Sequence, residues 1–99
     1  MADTAESAAL KPVIVRTYSA GVHFGYLARR DGKEVDLERS RRIHYWVGAN
    51  SCSGLATGGL DTKKSRVADP VTITLTEAIE IIDCTPEAVA SIESATWVR

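Results

Sequence analysis

Short runs of alternating side chains, separated by residues typical of tight turns, make up most of the first half of the chain. Residues 13–18 and 22–29 alternate between two sets of side chains, which is the period of a strand with one buried face. Gly21 lies between these runs and can adopt the positive φ of a tight bend. Asp31-Gly32 leads into a third run, residues 33–37, as in a two-residue hairpin. Strands joined by such short turns pair antiparallel, so the chain begins as a three-stranded meander.

Further strands are predicted in the rest of the sequence. Residues 38–42 form a polar link, dense in charge, that leads to a fourth alternating run at residues 43–47. Residues 71–82 alternate and then continue apolar, which predicts one long or bulged strand. The last residues, 96–99, are expected to return as a short edge strand.

Two short helices are predicted from their end signals. Asn50 or Ser51 suits the N-cap of a helix that Gly58-Gly59 would stop. Thr85 suits the N-cap of a second helix, and Pro86 its first position. Together with the strands, these helices predict an α+β domain rich in β structure. We expect an antiparallel meander sheet or a small partly open barrel with two short helices.

The length of the chain, 99 residues, supports a single core. We expect residues 1–11 to be a flexible N-terminal arm and residues 12–99 to be one β-rich domain. Hydrophobic residues make up 44% and charged residues 25% of the chain, as in ordinary globular proteins. No apolar run approaches the ~20 residues of a membrane helix, and the N-terminus lacks the pattern of a secretory signal. A cytoplasmic location without membrane contact is therefore expected.

The sequence contains no pattern that points to an enzyme, a cofactor or a metal. His23 and His44 lie in no metalloprotease, Cys/His or serine-elbow motif, and no phosphate-binding glycine loop is present. Cys52 and Cys84 form neither a CxxC pair nor a cluster with metal spacing, so both are expected to be reduced thiols. We therefore expect a protein that binds rather than catalyses.

Charge is distributed unevenly along the chain. Residues 11–66 carry eleven Lys and Arg against five Asp and Glu, whereas residues 67–99 carry one against six. Two interpretations remain open. The opposite charges could attract two subunits of a homo-oligomer, or the basic part could leave one face free for an anionic ligand.

Several arginines lie close to aromatic residues in the basic part. A guanidinium can bind a phosphate while an aromatic face stacks on a base, which is how proteins hold nucleotides without a phosphate-binding loop. A helix start can add backbone N–H groups that suit an anion. The competing interpretation places the aromatics in the core, the arginines in solvent and the polar residues in helix capping. The candidate ligand-binding residues are Arg16, Tyr18, His23, Arg41, Arg42, Tyr45, Trp46, Asn50 and Ser51.

Three segments resemble a family of roughly hundred-residue domains of unknown function encoded by phages and prophages. They are VRTYSAGVHFG (15–25), RRIHYWVGANSCSGLATGG (41–59) and LTEAIEIIDCTPEAVASIESATWV (75–98). The most distinctive part is Arg-Thr-Tyr-Ser-Ala-Gly at residues 16–21. Asn50 and Cys52 depart from the middle motif, where the family has Ala and Leu. The resemblance implies a phage origin and assigns no activity.

These observations lead to one preferred function and two alternatives. We expect a phage-encoded protein that sequesters an anionic, nucleotide-like small molecule, such as a signal of host immunity, as a homo-oligomer that supplies the missing pocket volume. The first alternative is a structural or protein-interaction module, either a virion component or an inhibitor of a host protein, with Trp46 and Trp97 as interface anchors. Nucleic acid ranks third, since the pI near 6.1 disfavours binding to a phosphate backbone.

Overall fold

The computed structural model describes residues 10–95, in which six strands form one antiparallel sheet with two short helices. The fold is α+β and rich in β structure, as predicted. No helix in this part of the chain has the length and apolar character needed to cross a membrane. The elements are β1 (Lys11–Thr17), β2 (Val22–Asp31), β3 (Glu34–Tyr45), α1 (Cys52–Gly58), β4 (Arg66–Val67), β5 (Val71–Leu75), β6 (Ala78–Asp83) and α2 (Pro86–Ser94).

The predicted meander is present as β1, β2 and β3. Gly21 has φ +87° in the first turn. The second turn lies one residue later than expected, because Asp31 pairs with Glu34 and leaves Gly32 and Lys33 as the turn residues. β1 begins at Lys11, the last residue of the predicted arm, while residues 1–9 and the predicted edge strand at 96–99 lie outside the described residues.

Residues 71–82 do not form the single strand that the sequence predicts. β5 pairs with β3 and β6 pairs with β1, so the two strands lie on opposite edges of the sheet. Only Thr76 and Glu77 connect them, and the sheet must curl until its edges meet there. The backbone N–H of Ala78 donates to the carbonyl of Lys33 at 3.0 Å, which ties β6 to the second hairpin. The result is a partly open barrel.

Residues 38–42 are not a link between two strands, because β3 runs through them to Tyr45. Phe24 pairs with Arg41 and Tyr26 with Glu38, so β3 contains one residue more than β2 at this point. This β-bulge includes Arg39, which has φ +49°. The extra residue reverses the alternation of side chains along β3. The sequence pattern therefore changes phase between residues 37 and 43 without a break in the strand.

The strand β1 is buried on both faces and separates two clusters of apolar side chains. Val13, Ile14 and Val15 are all fully buried. One face packs inside the barrel, in a cluster made by Val13, Val15, Val35, Leu37, Leu75 and Ala78. The other face packs under the two helices, in a cluster made by Ile14, Phe24, Ile43, Leu55, Ala56, Leu60, Val67, Ile92 and Ala95.

Both helices begin where the sequence predicts. The Ser51 side chain accepts a hydrogen bond from the backbone N–H of Gly54, and that of Thr85 accepts one from Ala88. These caps satisfy N–H groups that have no partner within the helix. Gly59 ends α1 at φ +80°, and a β-carbon at this position would collide with Ser91 of α2. A glycine at residue 59 thus allows α1 and α2 to pack closely.

Arg41 joins β3 to the end of α2 and to the segment after β4. The side chain is 8% exposed. The guanidinium donates to the carbonyls of Ala68 and Ala95 at 2.8 Å, and those of Ile92 at 2.9 Å, Glu93 at 3.1 Å and Val67 at 3.4 Å. Three of these carbonyls lie at the C-terminus of α2, where helix carbonyls lack internal partners and a cation is favoured.

We expect Arg41→Ala to lower the free energy of unfolding by about 3–5 kcal/mol, because several buried carbonyls would lose their donors. Arg41→Lys keeps the charge but not the planar set of donors, so its loss should be intermediate. Arg42→Ala changes the exposed neighbour and should stay within about 0.5 kcal/mol of the wild type. Urea denaturation followed by circular dichroism measures all three, and equal losses for Arg41→Ala and Arg42→Ala would contradict this account.

Candidate functional site

A pocket of about 190 Å³ opens between β3, β5 and the segment that precedes β5. We call it the barrel-mouth pocket. Its apolar wall consists of Ala68, Val71 and Ile73. Its polar side chains are those of His23, Ser40, Arg42, His44 and Asp69.

The β-bulge in β3 determines which side chains reach this pocket. Beyond the extra residue, Ser40, Arg42 and His44 occupy alternate positions on the side of β3 that faces the barrel interior. His23 is the cross-strand partner of Arg42 and lies on the same face. A regular strand would have directed residues 40 and 42 toward the helices instead.

His23 is a buried, neutral histidine. It is 1% exposed, and its Nε2 lies 3.0 Å from the carbonyl oxygen of Ala20. Because a carbonyl only accepts hydrogen bonds, Nε2 carries the proton, and Nδ1 of the neutral ring is an acceptor. Burial lowers the pKa of His23, and the charges of Arg42 and His44 lower it further against the opposing effect of Ala20.

Ser40 contributes a buried hydroxyl group with no hydrogen-bond partner among residues 10–95. Such groups are rare, because a buried hydroxyl without a partner costs about 1–3 kcal/mol. Gly25 allows β2 to approach this part of β3, since a β-carbon on Gly25 would lie 3.2 Å from the Cα of Ser40 and 3.0 Å from the Cβ of Leu37. Ser40 also belongs to the lining of the barrel-mouth pocket, and its hydroxyl is the unbonded group there.

Arg42 and Asp69 supply opposite charges, but their surroundings differ. Asp69 also interacts electrostatically with Arg41 on the other side of β3, where it opposes the lowering of the pKa of Arg41 by burial. The exposed side chain of Arg42 makes no hydrogen bond and no ion pair within the described residues. Arg42 is thus the charge in the pocket that is available to an anion.

Arg16 and Tyr18, which we predicted to bind a ligand, lie elsewhere. The Nε of Arg16 is 2.9 Å from Glu80 in an ion pair between β1 and β6. Tyr18 is 78% exposed. It lines a different pocket of about 270 Å³ with Lys33, Glu77 and Ile79.

The other predicted ligand-binding residues have local partners. Arg41 donates to backbone carbonyls, as described above. The guanidinium of Arg66 lies over the ring of Tyr45, with its Cζ 5.9 Å from the ring centre. The indole N–H of Trp46 donates to the carbonyl of Ala49 at 3.1 Å. The hydroxyl of Ser51 caps α1, and Asn50 is exposed in the preceding loop.

Sequence reasoning found two residues of the barrel-mouth pocket, His23 and Arg42, and missed the others. Ser40 and Asp69 are small polar residues in charged surroundings, and nothing in their spacing marks a site. His44 lies in no catalytic or metal-binding motif, so it was not among the predicted ligand-binding residues. The signal that could have found the row on β3 is the change of phase between residues 37 and 43.

Ser40, the two thiols and the metal-ligating side chain types can each be compared with arrangements known in active sites. Ser40 is not hydrogen-bonded to a histidine, as an activated serine would be. Burial raises the pKa of Cys84 to about 12 and also raises that of Cys52, so both free thiols are protonated at neutral pH. Within residues 10–95, no group of three His, Cys, Asp or Glu side chains is placed to hold a metal ion.

A family model for a domain of unknown function matches residues 10–92. The chain belongs to the DUF6948 family. The DUF6948 match includes every strand, α1, most of α2 and the whole barrel-mouth pocket. No curated protein and no solved structure matches the chain.

We expect the free energy of unfolding to decrease as the pH falls below about 6.5, the pKa of a histidine in an unfolded chain. Folding lowers the pKa of His23, so the unfolded chain binds more protons in this range and is favoured by acid. The contribution of His23 is complete above that pH. Urea titrations between pH 5 and 8 should give a flatter profile for His23→Gln, which keeps a side-chain N–H donor. An unchanged slope in the variant would assign the pH dependence to other groups.

Proposed function

We propose that this protein binds an anionic, nucleotide-like small molecule at the barrel-mouth pocket and holds it without transforming it. The observation that carries the proposal is Arg42, a guanidinium without an ion-pair partner in the described chain that stands beside a buried histidine and an unbonded hydroxyl. A guanidinium binds phosphate or carboxylate through two parallel hydrogen bonds. Neither an activated nucleophile nor a cluster of metal ligands accompanies it among residues 10–95.

The volume of the pocket supports a role for a second subunit. About 190 Å³ is below the ~300 Å³ at which pockets for drug-sized ligands begin. One chain would therefore enclose only part of a nucleotide. We propose that a homo-oligomer covers the remainder, with the uneven distribution of charge along the chain contributing to its assembly.

The biological setting that we propose rests on the resemblance to phage-encoded domains in the segments 15–25, 41–59 and 75–98. In the cytoplasm of an infected host, a small protein that binds a nucleotide tightly and does not turn it over would lower the concentration of a host immune signal. Such a role requires only affinity and abundance. It fits a small domain whose pocket offers recognition chemistry.

A second candidate function is a phage structural or protein-interaction module. It is favoured by Tyr18 and Ile79, which are 78% and 45% exposed and line the same surface pocket. Exposed aromatic and aliphatic side chains are typical anchors of protein interfaces. The predicted anchor Trp97 lies outside the described residues. Trp46 is partly buried against the apolar cluster that packs under the two helices.

We expect Arg42→Ala to weaken ligand binding at least tenfold, since a charge-assisted hydrogen bond contributes about 1.5–3 kcal/mol. The matched control is Arg30→Ala, which removes the same charge from the exposed tip of the second hairpin. Isothermal titration calorimetry with nucleoside monophosphates and cyclic dinucleotides measures both variants. Equal affinities for Arg42→Ala and the wild type, or no binding of any probe to the wild type, would refute the proposed site.

Native mass spectrometry of protein purified from an infected, nucleotide-rich lysate tests the oligomer and the ligand together. We expect a symmetric oligomer that retains a phosphate-containing mass. A ligand-free monomer would instead favour the protein-interaction module.

A further inference from the structure

The barrel-mouth pocket differs in polarity between its inner end and its rim. The inner end contains His23 and Ser40, which are 1% and 0% exposed. Arg42, His44 and Asp69 are exposed at the rim. An ion pays a large desolvation cost where water is excluded, whereas a neutral group with hydrogen-bond partners does not. The two ends of the pocket therefore suit two different parts of one ligand.

The inner end offers hydrogen bonds of defined kinds. Nε2 of His23 already donates to Ala20, which leaves Nδ1 as an acceptor. The hydroxyl of Ser40 has no partner among residues 10–95 and can donate and accept. A group that carries both an N–H donor and an acceptor would satisfy this pair.

The shape and lining restrict that group further. A volume of about 190 Å³ corresponds to roughly six water molecules at ~30 Å³ each. This space encloses about one heterocyclic ring, so the rest of a larger ligand would lie outside it. Ala68, Val71 and Ile73 provide an apolar wall against which a flat ring can pack.

We propose that the barrel-mouth pocket takes a neutral heterocyclic ring, of the size and hydrogen-bonding pattern of a nucleobase, and that the anionic group of the same molecule stays at the rim on Arg42. This inference rests on the proposed function and specifies which part of the ligand is buried. Ser40 is then a specificity-determining residue, because a site built to hydrogen-bond a group rejects analogues that lack it. A phosphate without a base would use the rim alone.

Three kinds of probe test this arrangement by calorimetry: inorganic phosphate, ribose 5-phosphate and the four common nucleoside monophosphates. We expect at least one monophosphate to bind ten times more tightly than ribose 5-phosphate. Ser40→Ala should remove most of that advantage and leave the affinity for ribose 5-phosphate unchanged. Arg42→Ala should weaken both kinds of probe.

Stability provides a second measurement on Ser40→Ala, because removal of an unbonded buried hydroxyl should leave the melting temperature equal or higher. Lower affinity together with a raised or equal melting temperature distinguishes recognition from misfolding. Equal binding of ribose 5-phosphate and all monophosphates, with Ser40→Ala indistinguishable from wild type, would overturn this inference while the anion site stands. No binding of any probe would overturn the proposed function as well.

Discussion

The rest of the structure depends on the hydrogen bonds of the Arg41 guanidinium. They connect the middle of β3 with the C-terminus of α2 and with Ala68. The end of α2 and Ala68 are remote from each other in sequence. Ala68 is held from both sides, since its carbonyl accepts from Arg41 and its N–H donates to the carbonyl of Arg42 at 2.9 Å. Because Ala68 is also a wall of the barrel-mouth pocket, the interaction that closes the helical layer also positions the candidate site.

The β-bulge at Arg39 is the local feature that makes this possible. One extra residue in β3 turns Arg41 toward the helices and Ser40 toward the barrel interior, so two adjacent polar residues are buried on opposite faces of the sheet. The guanidinium of Arg39 lies 4.1 Å from the ring centre of Tyr26, whose hydroxyl bonds to Glu93 of α2. Burial and the Glu93 carboxylate raise the pKa of Tyr26 to about 12, so its hydroxyl remains a donor well into the alkaline range. The same β-bulge thus places Arg41 among the helices and Ser40 at the candidate site.

The sequence was sufficient to predict the features that short-range signals specify. Gly21 marks the first turn, while Ser51 and Thr85 mark the helix starts, and each acts through its own backbone or side chain within a few residues. The bulge was missed because Arg39 has no residue-type signal for a positive φ. The separation of residues 71–82 into β5 and β6, on opposite edges of the sheet, was missed because it depends on how the whole sheet curls.

The candidate site was predicted by residue type rather than by geometry. An arginine or a histidine near an aromatic residue occurs several times in this chain, and only the strand register separates Arg42 at the pocket from Arg41 in the interior. Most arginines are exposed in folded proteins, so the burial of Arg41 followed from no sequence rule. Ala68 and Asp69 join the pocket from the loop before β5, and Arg41 holds this loop through the carbonyls of Val67 and Ala68.

The measurement that tests the central claim most directly is a ¹⁵N–¹H NMR titration of the 99-residue protein with the tightest-binding nucleoside monophosphate. Chemical shift changes that concentrate on the amides of His23, Ser40, Arg42, His44 and Asp69 would place the ligand in the barrel-mouth pocket, as this account predicts. Changes confined to the loop around Lys63 and Lys64, or to the surface around Tyr18 and Ile79, would contradict it.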